Sequence, residues 1–291
     1  MDFAQQLVNG VQIGSVYALV AIGYTMVYGI AKMINFAHGD IIMVGSYVAL
    51  LFFQSSGLPV WGVIAATAAV SAVLGVTIER LAYKPLRGGS RMSALITTIG
   101  VSLMLQNGFL LIFGSSPKPF PNHFTGEGFT LGGVTVSRLT AITLVVTVVL
   151  MVLLTLFVNR TRVGKAMRAV SEDQGAAQLM GINIDTSISI TFAIGSALAA
   201  VAAVLYSSTY PLINPYMGSM LGLRAFIAAV IGGIGVIPGA MIGGFIIGIA
   251  EALIKRYISS AMADAIVFGV LVVVLLVKPS GLLGKKTLVK V

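Results

Sequence analysis

Apolar runs of membrane length alternate along the chain with short polar connections. A helix needs roughly 20 apolar residues to cross a hydrocarbon core about 30 Å thick, with a working range of about 17 to 25. By that measure spans are expected at 7–31, 41–53, 59–78, 93–113, 139–158 and 188–206. The pattern then becomes irregular. A glycine-rich stretch runs from Leu223 to Ile254, and a last span falls at 263–277. The expected fold is therefore all-α and polytopic, with about eight hydrophobic segments in one transmembrane domain over 1–291.

The glycine-rich stretch is too long for one straight span and too short for two comfortable ones. Gly232, Gly233, Gly235, Pro238 and Gly239 interrupt it. A broken, re-entrant helix pair is expected there, entering the membrane and returning to the same side. Irregular backbone is tolerated at membrane depth only where protein or a watery cavity surrounds it. Gly232, Gly233, Gly235 and Pro238 are thus candidates for a translocation path or gate. Gly239, Gly243, Gly244 and Gly248 also have the small-residue spacing that lets helices approach closely. INFAHG at 34–39 and INPYMG at 213–218 share Ile-Asn followed by Gly at one offset. Such an echo fits inverted repeats, with the two segments at opposite membrane faces in the expected topology.

Hydrophobic residues make up 57% of the 291 and charged residues 9%, too few charges to cover a soluble surface. The net charge of +9 is scattered over short loops, which is a topology signal and not a nucleic-acid patch. Lys32, then Arg80, Lys84, Arg87 and Arg91, then Arg160, Arg162, Lys165 and Arg168 occupy alternate connections. The other connections among the first six spans hold only Lys118 and Arg138. The positive-inside rule places the N-terminus outside, the loop 159–187 in the cytoplasm, and the tail with Lys278, Lys285, Lys286 and Lys290 also inside. Lys255 and Arg256 then fall on the outer side. MDFAQQL carries no basic residue, so the first span is expected to be retained and not cleaved as a signal peptide. Without cysteine, disulfides, thiolate metal sites and cysteine nucleophiles are excluded together.

Inside the spans, ionisable residues are sparse. Arg224, Glu251 and Asp264 are expected near ends or breaks, and the buried carboxylates typical of a proton-driven carrier are missing. Glu251 and Lys255 can pair along one helix, a structural feature. His38 opens an expected cytoplasmic helix, where capping or packing is the simpler role, and His123 has no metal-ligand partner at useful spacing. Gln106 and Asn107 lie inside the fourth span and should face helices or water. With Asn35 and His38 they complete the path candidates, while Asn9, Gln12, Tyr24 and Thr25 make the first span polar on one side. No catalytic constellation and no phosphate-binding loop are present, so this chain is expected neither to catalyse nor to hydrolyse ATP, and no metal site is expected.

The longest polar run is NRTRVGKAMRAVSEDQGAAQLMGINIDTS, 159–187. Its local chemistry predicts a short helix with Ser171 as N-cap, Glu172 and Asp173 at the positive end of the dipole, and Gly181 as terminator. Ala176, Ala177, Leu179 and Met180 supply a small apolar face.

Glu172, Ala176, Ala177 and Gly181 resemble the coupling loop of ABC-importer permeases, although Asp173, Gln174 and Gly175 separate the Glu from the Ala pair here. YGIAKMINFAHGDIIMVGSY at 28–47 and AVIGGIGVIPGAMIGGFIIGIAEAL at 229–253 resemble the H-type permease subunit of the high-affinity branched-chain amino-acid importer, and the likeness runs over nearly the whole chain. The resemblance implies import of leucine, isoleucine and valine across a bacterial inner membrane. It also implies as partners a second related permease, two ATPases and an extracytoplasmic substrate-binding protein. ATP and magnesium would sit on the ATPases, with no cofactor on this chain. Ser171, Glu172, Asp173, Ala176, Ala177, Leu179 and Gly181 would form the coupling element. The residues alone leave open a related permease for urea, an amide or a sugar, and a self-sufficient channel or secondary carrier.

Overall fold

The computed structural model describes residues 2–284 apart from Gly88, Thr125, Glu127 and Gly132. Lys285, Lys286 and Lys290, expected in a cytoplasmic tail, lie outside the described residues. The helices in chain order are α1 (Asp2–Ala31), α2 (His38–Ser55), α3 (Val60–Ile78), α4 (Arg91–Phe113), α5 (Arg138–Arg160), α6 (Arg162–Glu172), α7 (Gln174–Leu179), α8 (Ile184–Thr209), α9 (Met217–Gly232), α10 (Ile237–Tyr257) and α11 (Ala263–Val277). Among the described residues six are long and apolar enough to cross a membrane: α1, α3 with the turn after it, α4, α5, α8 and α10, but not α2, where a span was expected at 41–53. Local chemistry sets several starts: Ser90, Ser137 and Asn183 each accept the N–H of the third residue beyond them, capping α4, α5 and α8. Among the described residues four short strands pair in the connections, β1 (Lys118–Pro119) with β4 (Leu212–Ile213) and β2 (Phe129–Leu131) with β3 (Val134–Val136).

Two helix triplets repeat. A shift of 179 residues carries α2 onto α9, starting at His38 and Met217, and α3 onto α10, ending at Ile78 and Tyr257, with α1 falling over α8. Each triplet packs its first helix on the last helix of the other. Gly10 and Gly14 of α1 sit on Ile249 and Phe245 of α10, and Gly75 of α3 sits on Ser196 of α8. Small residues allow this closeness where lipid supplies no hydrophobic drive.

The echoing segments were expected at opposite faces; instead they meet. Both α2 and α9 begin deep in the bundle, and Gly39 and Gly218 lie backbone to backbone, each against the other's carbonyl. Any Cβ at Gly39 would also come within 2.9 Å of the Gly222 Cα. Such a contact has only backbone to push, so Gly39→Val should cost about 3 kcal/mol, the upper end for overpacking. Lowered thermal stability of the purified variant would register it, whereas Gly100→Ala, in open space, should be neutral.

The glycine-rich stretch also differs from its expected form. The hairpin does enter and return on the side of the N-terminus, but it is not confined to part of the membrane. Its turn reaches the far end of α1, where Gly235 lies against Gly29. From there α10 runs back along α1 until Arg256 pairs with Asp2 at 3.0 Å. Lys255 and Arg256 thus share the N-terminal end of the bundle. After α11 the chain returns to the opposite end, where Leu282 and Leu283 donate to Ile231 O and Gly232 O at 2.8 and 3.1 Å. Those bonds satisfy carbonyls that the end of α9 would otherwise leave bare. Pro238 occupies the first turn of α10, where a missing N–H costs nothing.

Candidate functional site

Two amphipathic pieces make up the loop 159–187. Gly164, Met167 and Val170 bury one face of α6, with Gly164 against Phe157 and Val158 of α5. Ser171 and Glu172 belong to this helix and not to the next, which corrects the expected cap. The Ser171 hydroxyl donates to Arg168 O at 2.7 Å, and it is the Asp173 side chain that accepts the Ala176 N–H at 2.9 Å. The Asp173 backbone is extended, which ends α6 and frees the carboxylate to start α7.

Gly181 closes α7 as expected. At φ +81° its N–H reaches Gln178 O and the Ile182 N–H reaches Ala177 O, both at 3.0 Å. This is a Schellman closure, and a left-handed residue is needed at its centre. The expected apolar face divides in two. Ala177 turns inward and is buried, while Leu179 and Met180 are 90% and 81% exposed at the tip. Glu172 and Ala176 are exposed as well. A rigidly closed helix therefore presents two large apolar side chains on an otherwise polar loop.

The coupling-type loop and the glycine turn are neighbours. A cavity of about 320 Å³ is lined by Arg168 and Ser171 of α6, Gly29 of α1, and Gly235, Val236 and Pro238 of the turn. Gly232 and Gly233 lie beside it in sequence, packed on Gly239 and Gly284.

Asn35, His38 and Gln106 gather at the crossing of the two triplets. Asn35 Oδ1 accepts from the Tyr83 hydroxyl at 2.7 Å, and the His38 ring sits edge-on to Tyr24 with centroids 4.6 Å apart. His38 starts α2 as expected, but deep in the bundle and without a capping bond. Gln106 Nε2 donates to Asp40 Oδ1 at 3.0 Å and to Ser219 Oγ at 2.8 Å. Asp40 and Ser219 are equivalent under the 179-residue shift, so one amide of α4 spans both repeats. Asn107 is not part of this group; it is exposed and bonds Leu103 O of its own helix at 2.8 Å. Sequence reading passed over Asp40, Ser219 and Tyr83. The signal for the first two was the polar residue after each echo glycine.

The charges expected near ends or breaks prove to be connected, Arg224 falls at the middle of α9, and carboxylates expected to be missing from the interior are present, with Asp40, Glu79 and Glu251 all buried. Glu251, 1% exposed, accepts from Tyr17 OH at 2.7 Å and pairs with Lys255 at 2.5 Å and Arg224 at 3.1 Å. Arg224 also holds Asp264 at 2.5 Å and donates to Tyr17 at 3.0 Å. The Glu251–Lys255 pair is therefore one edge of a network tying α1, α9, α10 and α11. Lys255 also lines a cavity of about 350 Å³ with Asn9, Gln12 and Tyr210 at the N-terminal end. Gln12, one of the polar residues of the first span, bonds Thr209 of α8 and Thr140 of α5.

Interlocked helix triplets with a polar crossing, broken glycine turns and a presented loop helix describe a multi-pass membrane permease. The chain belongs to the branched-chain amino acid transport system permease component family, whose sequence model matches residues 6–275. It is 47% identical to the high-affinity branched-chain amino acid transport system permease protein LivH of Escherichia coli K12, over 99% of this chain and 98% of that one. Identity is also 47%, with the same coverage, to the corresponding protein BraD of Pseudomonas aeruginosa. A ribose import permease, RbsC of E. coli K12, is 26% identical over 83% of this chain and 75% of its own length. The chain is a non-catalytic permease component of a transport system.

Proposed function

We propose that this chain is one permease subunit of an ATP-driven importer that carries leucine, isoleucine and valine into the cytoplasm. A second, related permease completes the pathway, two ATPases bind below, and a substrate-binding protein delivers cargo from outside. The loop face is cytoplasmic and the N-terminus external, in keeping with the basic residues of α6 and its neighbouring connections. The chain binds no cofactor; ATP and magnesium act on the ATPase subunits.

The carrying observation is α7. It is short, closed at both ends, apolar at its tip, and joined through α6 to a cavity shared with the glycine turn. Closure of the ATPases would move α7 as a unit, and α6 would pass the movement to Gly235 and Pro238. Gly232 and Gly233 beside that turn, and Asn35, His38 and Gln106 at the crossing, are the path and gate residues in this reading. Near-full-length identity to two permeases named for branched-chain amino acids supports the cargo.

Uptake of labelled leucine by cells lacking the chain, with and without its restoration, tests the cargo. Excess unlabelled isoleucine and valine should compete, and ribose and urea should not. Competition by ribose or urea alone would overturn the assignment in favour of a related solute.

A further inference from the structure

On the loop side of the bundle, a cleft of about 640 Å³ opens between the end of α3 and the first turns of α8. Its polarity is graded. Arg80, Lys84, Asp185 and Thr186 line it near the loop, while Val76, Ile190 and Ala193 line it further in. Ala193 lies nine residues into α8, which is about 13 Å along the axis. The cleft thus runs from the level of the charged loop down among apolar side chains.

The wall is shaped by a π-helical turn, Glu79–Tyr83, in which the Lys84 N–H bonds Glu79 O. Such turns are rare and tend to occur at functional sites. Glu79 and Tyr83 face inward. Glu79 is fully buried, accepts from Ser189 Oγ at 2.5 Å and pairs with Arg87. Arg80 and Lys84 face the cleft. Lys84 holds Asp185 at 2.7 Å, and Arg87 pairs with Asp185 as well. Three cations therefore meet two carboxylates. The surplus falls on Arg80, which has no carboxylate within ion-pair distance among the described residues. Beside the cleft, Val73 and Leu81 are 68% and 76% exposed, an apolar surface of the kind that hydrocarbon covers.

We propose that this cleft holds the headgroup of an anionic phospholipid from the leaflet on the loop side. The phosphate would be gripped by Arg80, whose planar fork suits phosphate oxygens, with the Thr186 hydroxyl and Lys84 beside it. An acyl chain would follow Val76, Ile190 and Ala193 inward. A soluble protein has no route into that apolar depth, and a free anion gains nothing from it. Basic pockets between membrane helices are established places for acidic headgroups.

The test reconstitutes the intact protein into nanodiscs of phosphatidylcholine with a minority of phosphatidylglycerol. Phosphatidylglycerol retained after return to detergent is then counted by native mass spectrometry. Wild type should keep one phosphatidylglycerol more than Arg80→Glu. Arg80→Lys should fall between them, and Arg162→Glu, an exposed site outside the cleft, should match wild type. Arg80→Gln, which removes the charge without reversing it, should also lose that lipid while melting at the wild-type temperature. Equal retention by wild type and both Arg80→Glu and Arg80→Gln would overturn the proposal. So would displacement of the lipid by inorganic phosphate, which would indicate a soluble anion, or loss of a co-purifying permease with lipid unchanged, which would make the cleft a protein interface.

Discussion

Leu179→Glu combined with Met180→Glu should abolish ATP-driven uptake and the co-purification of ATPase, while leaving the amount of chain in the membrane unchanged. Both side chains are almost fully exposed, so the fold loses little when they change. Docking, by contrast, would bury them. Each large apolar side chain contributes roughly 1.5 to 3 kcal/mol when buried, so losing two weakens association by at least a hundredfold. Carboxylates would add the cost of desolvating charge in the groove. Ala177→Glu is the informative contrast. Ala177 is buried under α7, so that change should disorder the loop itself and lower the amount of chain in the membrane. Co-purification that survives the double glutamate variant would show that the ATPase reads some other surface.

Arg224→Ala should be the most destabilising single change inside the bundle. The guanidinium balances Glu251 and Asp264 and donates to Tyr17. Breaking a buried pair on one side typically costs about 3 to 5 kcal/mol, because a charge is left behind without compensation. Lys255 still reaches Glu251 at 2.5 Å, which puts the expected loss at the lower end of that range. Replacing both partners, Arg224→Met with Glu251→Leu, should recover part of the loss, since the buried Glu251 charge leaves with the guanidinium while the charges that stay behind, Asp264 and Lys255, are partly exposed. Thermal unfolding of the detergent-purified variants would measure both effects. If Arg224→Ala melted like wild type, the network would be a solvated cluster and not a tie between helices.

Segments whose signal is local were legible in the sequence. Five of the six regular spans, those at α1, α3, α4, α5 and α8, are visible as apolar length, and Gly181 is visible as a terminator because within the loop only that position needs a left-handed backbone. The start of α7 was misplaced by two residues because Ser171, Glu172 and Asp173 are all competent near a helix start. Choosing among them depends on how far α6 continues, and burial of Met167 and Val170 decides that. The charge network could not be read. Arg224, Glu251 and Asp264 lie on three helices, and only the antiparallel run of α10 along α1 brings Glu251 to Tyr17. The echo at Gly39 and Gly218 was visible, but its position was not. Hydropathy marks where a helix is apolar and is silent on the depth at which it begins. For the same reason Gln106 and Asn107 looked alike, although the first spans the crossing and the second faces outward.

ATP-dependent uptake in proteoliposomes separates a permease driven by partner ATPases from one that works alone. The chain would be reconstituted with its partner permease, ATPases and binding protein, and labelled leucine counted inside the vesicles with and without ATP. Leucine should accumulate only when ATP, the ATPases and this chain are all present, and the Leu179→Glu, Met180→Glu variant should leave the vesicles empty. Leucine entering vesicles that hold this chain alone, at the same rate without ATP, would rule out the ATP-driven permease and establish a self-sufficient channel or carrier.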